Sequence, residues 1–149
     1  MGKLEVEVPT KSSSDQLWSV LKKTTTIFPE IFPDRYKSID VLEGDGKSVG
    51  SVILMKYVEG TPDVTFSKER IEEVDEANKS LVYSVLEGEI TSLYKTFKAS
   101  VQISTKGDGS SVKWVLDYEK ASADVPEPTF VKDFAVATFE GLDAYALKA

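Results

Sequence analysis

Two consecutive stretches toward the end of the chain alternate between apolar and polar positions. Phe97, Ala99, Val101 and Ile103 fall on every second residue, with Thr96, Lys98, Ser100 and Gln102 between them. After the turn Lys106-Gly107-Asp108-Gly109 the pattern resumes as Val112, Trp114, Leu116 and Tyr118. A period of two puts one set of side chains on a buried sheet face and leaves the other mostly wet. Beyond Pro126 and Pro128 the spacing changes to three and four residues, through Val131, Phe134, Ala135, Thr138, Leu142 and Tyr145. That spacing predicts a long helix with one apolar face, in a segment running to Ala149.

Upstream, residues 3–9 read as a strand ended by Pro9. Ser12, Ser13 and Ser14 offer N-caps to a short helix carrying Leu17, Trp18, Val20 and Leu21, which the β-branched run Thr24-Thr25-Thr26 weakens. A second short helix is predicted around Ile27–Phe32, bounded by Pro29 and Pro33, followed by strands at about 36–43, 50–58, 63–75 and 79–87. The order is therefore strand, two short helices, six consecutive strands, long helix. Strands joined by short turns form an antiparallel meander. A curled meander with one long helix in its concave face is an α+β helix-grip fold, expected here as a single domain over residues 1–149. Within the helix, Thr138 and Gly141 interrupt the apolar face. Either they are a packing compromise, or the helix spans an internal cavity where tight packing is not required.

Composition narrows the chemistry. A net charge of −7 opposes binding to nucleic acid and to anionic membranes. The chain has neither cysteine nor histidine, which removes disulfides, thiolate and Ser-His-Asp catalysis, and the usual zinc sites. Acid-base chemistry would fall to carboxylates, lysines or tyrosines with shifted pKa values. No stretch has the length of a membrane span or the form of a signal peptide, so a cytoplasmic protein is expected; a monomer without metal or cofactor is expected as well.

Three features invite functional readings. Gly44-Asp45-Gly46-Lys47-Ser48-Val49-Gly50 superficially resembles a phosphate loop, but its glycines are too close and it leads into a strand, not a helix. It reads as a glycine-rich hairpin. Glu69, Glu72, Glu73, Asp75 and Glu76 alternate across a strand into a turn, which reads as a solvated edge. Tyr57, Tyr83, Tyr118 and Arg70 lie among apolar residues at positions that can face inward, where they either satisfy one another in a core or meet the polar end of a ligand.

The segments Phe28-Pro29-Glu30-Ile31-Phe32-Pro33, Val41-Leu42-Glu43-Gly44-Asp45-Gly46, Tyr57-Val58-Glu59-Gly60, Lys68-Glu69-Arg70-Ile71-Glu72-Glu73-Val74-Asp75, Tyr83-Ser84-Val85-Leu86-Glu87-Gly88 and Lys132-Asp133-Phe134-Ala135 resemble the plant major latex proteins, a branch of the Bet v I-type, START-like superfamily. The resemblance covers almost the whole chain. It implies a seven-stranded sheet around a long C-terminal helix, a mostly apolar cavity, and a defence- or stress-associated role in binding flavonoids, steroids, terpenoids, alkaloids or fatty acids. Carried over by position, the cavity lining would be Phe28, Met55, Tyr57, Phe66, Leu81, Tyr83, Val85, Phe97, Val101, Trp114, Leu116, Tyr118, Val131, Phe134 and Thr138, with Arg70 at the ligand's polar end. The inward lysine of the superfamily's abscisic acid receptors is missing from Ile53, Met55 and Tyr57, and the active lysine of norcoclaurine synthase from the two long strands. The reading favours a carrier without catalytic residues. The alternative is a cofactor-free enzyme steering the cyclisation or isomerisation of a terpenoid or alkaloid intermediate.

Overall fold

The alternating segments form seven strands in the computed structural model, which describes residues 2–58 and 65–148. These are β1 (Gly2–Thr10), β2 (Tyr36–Glu43), β3 (Val52–Tyr57), β4 (Phe66–Asp75), β5 (Ser80–Gly88), β6 (Tyr94–Lys106) and β7 (Gly109–Lys120). Their order in the antiparallel sheet is β1-β7-β6-β5-β4-β3-β2, so β2 to β7 are a meander and β1 returns beside β7. The helices are α1 (Ser14–Leu21), α2 (Thr24–Ile31), α3 (Ile90–Leu93) and α4 (Thr129–Lys148). Residues 63 and 64 of the strand expected at 63–75, the Glu59-Gly60 pair, Met1 and Ala149 lie outside the described residues.

Local chemistry accounts for most boundaries. Pro9 does not end β1 but pairs opposite Ser111. Because β1 is an edge strand, a residue without an N–H is tolerated there. Ser13 caps α1 in a reciprocal box with Gln16: each residue's backbone N–H donates to the other's side chain at 3.2 Å. The second helix departs from expectation at both ends. Thr24, Thr25 and Thr26 form its first turn, where Thr24 Oγ1 donates to the Leu21 carbonyl at 2.8 Å, and Pro29 lies inside it. The short α3 was not expected; four residues cannot display a helical period.

Two irregularities in β4 and β5 set which side chains face inward. Met55 is opposite Ser67, Ile53 opposite Glu69, and Glu69 opposite Val85. Register shifts at Lys68/Glu69 and at Ile71/Glu73 then change the phase, so that Val74 lies opposite Leu81. Phe66 pairs with Lys56 and Arg70 with Ser84, on the other face.

The predicted apolar face of α4 divides. Ala135, Thr138 and Leu142 are buried together with Phe139 and Ala146, whereas Val131, Phe134 and Tyr145 are half-buried. Both interruptions serve contacts. A β-carbon on Gly141 would lie 2.4 Å from the Phe32 ring, so glycine lets Phe32 lie directly on the helix backbone. Thr138 Oγ1 donates to the Phe134 carbonyl at 2.8 Å and accepts from Arg35.

Asp143 fastens α4 to the loop after β1. Its carboxylate accepts the Lys11 N–H at 3.0 Å, the Ser12 N–H at 2.9 Å and the Ser12 hydroxyl at 2.6 Å. Burial raises its pKa, but these donors outweigh burial and the net shift is downward. A depressed carboxylate contributes stability above its unfolded pKa, near 4, and loses it as pH falls through the folded value. Asp143→Ala is expected to cost about 1–3 kcal/mol at pH 7. The difference from the parent in urea unfolding should shrink in acid; an undiminished difference near pH 2 would assign the loss to something other than these charged hydrogen bonds.

Candidate functional site

Directly opposed residues in a sheet share a face. Leu81, Val101, Trp114 and Val6 form one inward row, Tyr83, Ala99, Leu116 and Leu4 the next, and Phe97 lies opposite Tyr118. Met55 and Tyr57 on β3, and Val85 on β5, continue this face. Burial separates its members. Phe97, Val101, Trp114, Leu116 and Tyr118 keep no more than 6% of their surface and belong to close-packed core; Met55 and Phe28 are also buried. Tyr57, Leu81, Tyr83 and Val85 remain half-buried, as do Val131 and Phe134 of α4. Concave-face residues that keep accessible surface border space, not packing. That space lies beside β3–β5, whereas α4 itself packs on β1, α1 and α2.

Two expected lining residues do not face this space. Phe66 stands with Lys56 on the convex side. Arg70 is exposed there, 4.0 Å from Glu72, which also accepts the Ser84 hydroxyl at 2.8 Å. The physical reason is parity: Ser67, Glu69 and Ile71 occupy the inward register of this part of β4. The two charged residues Lys68 and Arg70, on the opposite parity, were the signal for it.

The cation on the concave side is Arg35, in the loop before β2. Its guanidinium carbon lies 3.8 Å from the Phe134 ring centroid and 4.6 Å from that of Phe32, and Nη1 donates to Thr138 Oγ1 at 2.7 Å. Sandwiched between rings from α2's end and α4, it holds the two together. Around it the rings of Phe28, Phe32, Tyr36, Tyr57 and Phe134 form a continuous cluster, with Tyr36 5.4 Å from Tyr57 and Phe134 6.1 Å from Tyr57. No periodicity in the sequence marks Arg35, because its position follows from the loop path.

Glu69 is the second residue that the sequence concealed. Of the acidic cluster, Glu73, Asp75 and Glu76 are exposed as expected, but Glu69 lies deep on the concave side, still with some accessible surface. The Ser67 hydroxyl donates to its carboxylate at 3.1 Å. Burial pushes the Glu69 carboxyl up to about 7, against the lowering effect of that hydrogen bond. Tyr36, Tyr57 and Tyr83 all sense it: burial first, and the Glu69 carboxylate second, raises each phenol above the ordinary tyrosine value. Trp114 Nε1 donates to the Tyr83 hydroxyl at 3.3 Å. The concave face here combines apolar and aromatic side chains with one acid and three phenols.

Tyr118 stands apart, edge-on to Tyr94 and bordering a separate cleft of about 400 Å³ with Gly2, Glu119 and Lys120. In the glycine-rich loop, Asp45 accepts the Lys47 N–H at 2.8 Å and the Ser48 N–H at 2.7 Å. These bonds, with the Ser48 hydroxyl, hold its carboxyl well below the usual carboxylate range. The backbone donors that would cradle a phosphate are thus already committed to a side-chain anion. Among the described residues no acidic group of three or more gathers closely enough to hold a metal ion. No described helix is long and apolar enough to cross a membrane.

The model of the pathogenesis-related protein Bet v 1 family matches residues 1–149. The MLP-like protein 423 of Arabidopsis thaliana is 45% identical over 147 residues, covering 99% of this chain and 95% of that protein. The crystal structure of major latex-like protein 151 from Panax ginseng superposes with a TM-score of 0.89 at 32% identity, covering 98% and 97% of the two chains. Norcoclaurine synthase from Thalictrum flavum, solved with dopamine and hydroxybenzaldehyde, superposes with a TM-score of 0.84 over 99% of this chain and 87% of the enzyme. At 20% identity that likeness shows the fold alone.

Proposed function

The chain belongs to the pathogenesis-related Bet v 1 family, and from that premise we propose that it is a cytosolic, monomeric carrier of small hydrophobic plant metabolites, in a single ligand-binding domain spanning residues 1–149. The family's fold is one that binds hydrophobic ligands. The observation that carries the reading to this chain is the half-buried concave wall of Tyr57, Leu81, Tyr83 and Val85, with Phe134 in contact with Tyr57. Apolar ligand surface buried there would contribute about 25 cal/mol per Å². Glu69 and the phenols of Tyr36, Tyr57 and Tyr83 supply the few polar contacts that orient a ligand, in place of the Arg70 and Tyr118 expected from the sequence. A defence- or stress-associated role accords with the family.

The neutral fluorophore N-phenyl-1-naphthylamine is expected to bind the native protein at about one-to-one stoichiometry and to be displaced by a flavonoid or a steroid. Fluorescence that rises only as the protein unfolds would sink the proposal. A second reading is favoured by Glu69 alone. A carboxyl near neutrality suits general acid-base work, so the pocket could isomerise or cyclise what it binds. Ligand recovered chemically unchanged after long incubation supports the carrier; a new product of equal mass supports the enzyme.

A further inference from the structure

We propose that the pocket selects ligands bearing a protonated amine on an apolar or aromatic body, with Glu69 as the counter-charge and the phenols of Tyr36, Tyr57 and Tyr83 around it. This rests on the reading of the concave space as a ligand site and narrows it to a chemical class.

Glu69 is an acid without a counter-ion among the described residues. Glu69 lies deep in the protein, held by the Ser67 hydroxyl, and among the described residues no lysine or arginine forms an ion pair with it. A buried charge is normally paired or neutralised. Among the described residues the Ser67 hydroxyl donates to it, and no cation pairs with it. The groups facing Glu69 are the phenols of Tyr36 from β2, Tyr57 from β3 and Tyr83 from β5. Arg35, from the loop before β2, is committed to the faces of Phe32 and Phe134, to Thr138 and to the Tyr36 phenol, and it does not shift Glu69.

Phenol oxygens around a single carboxylate accept hydrogen bonds from an organic ammonium group, which that carboxylate attracts. Tyr36 and Tyr57 lie 5.4 Å apart, and Phe134 stands edge-on to both, at 6.3 and 6.1 Å. An ammonium placed there would complete the charge that Glu69 lacks and favour its ionised form. A ligand carboxylate would meet the same acid as a repulsion. Fatty acids, one of the classes implied by resemblance, are therefore disfavoured above neutral pH. A neutral alcohol of the same shape would gain only an ordinary hydrogen bond.

The test compares three probes of matched shape: 2-(1-naphthyl)ethylamine, 2-(1-naphthyl)ethanol and 1-naphthylacetate. Each displaces N-phenyl-1-naphthylamine from the parent protein and from Glu69→Gln at pH 6 and pH 8. The amine stays charged throughout, so any pH effect reports the protein. At pH 8 the amine is expected to bind about tenfold tighter than the alcohol, with the carboxylate weakest. At pH 6, where Glu69 is mostly protonated, the preference should shrink. In Glu69→Gln it should vanish at both pH values while the neutral fluorophore still binds. Equal affinity of amine and alcohol at pH 8 in the parent would overturn this inference and leave the ligand site standing. So would a preference that survives in Glu69→Gln. Failure of the fluorophore to bind folded parent protein would overturn both. The pH comparison needs no variant, so it decides the matter even if Glu69→Gln folds poorly.

Discussion

Glu69→Gln is expected to be more stable than the parent at pH 8, by roughly 3 kcal/mol, and to match it near pH 4. The magnitude follows from a folded-state pKa of about 7 against 4.5 for an ordinary glutamate, each pKa unit being worth about 1.4 kcal/mol. The sign follows from proton counting. Between those two values the folded state holds a proton that the unfolded state has released, so stability falls as pH rises. Above pH 7 the folded protein carries a buried carboxylate that costs its full desolvation. Glutamine keeps the shape and removes the charge. Urea unfolding of both proteins from pH 4 to pH 8 checks this, and a stability difference that does not change with pH would mean Glu69 is well solvated.

The second large effect concerns the wall that is packed. Leu116→Ala is expected to cost about 2–5 kcal/mol and to leave fluorophore affinity within about twofold. Leu116 has no accessible surface and lies between Leu4 of β1 and Ala99 of β6. Strands hydrogen-bonded on both sides cannot close over the lost isobutyl group, so a void remains, and its cost adds to the lost transfer energy. Had Leu116 lined the ligand space, as the resemblance implied, truncation would enlarge that space with a small loss of stability. A cost below about 1 kcal/mol together with altered fluorophore binding would restore Leu116 to the site.

These two residues show how unevenly the sequence discloses the protein. The strict alternation of β6 and β7 identified their inward faces down to the residue, because both strands pair without interruption through that region. On β4 the pairing with β3 is regular from Phe66 to Arg70, and its parity turns Ser67, Glu69 and Ile71 inward and Phe66, Lys68 and Arg70 outward. Phe66 is carried over from the resemblance, and Arg70 is expected inward because it lies among apolar residues; neither reason records the parity of the strand. Glu69 looked like one of five surface acids, since charge in a sequence carries no record of depth. Arg35 and Phe32 act through a loop and a helix end, whose geometry no period describes. Gly141 hinted at loose packing in the helix and turned out to admit the Phe32 ring.

The sequence by itself determined the architecture: the order of strands, the helix that closes them, the absence of histidine and cysteine chemistry, and the apolar character of the concave face. Those properties follow from periodicity and composition, which act locally and survive any arrangement of neighbours. Only the tertiary structure decided where that face is solid and where it is open, and which charges lie against the opening. Packing and burial depend on which segments meet across the fold. Regular pairing of β4 with β3 turns Glu69 to the concave side and Arg70 to the other, and the loop before β2 brings Arg35 to the concave side, with no trace in the pattern of apolar positions.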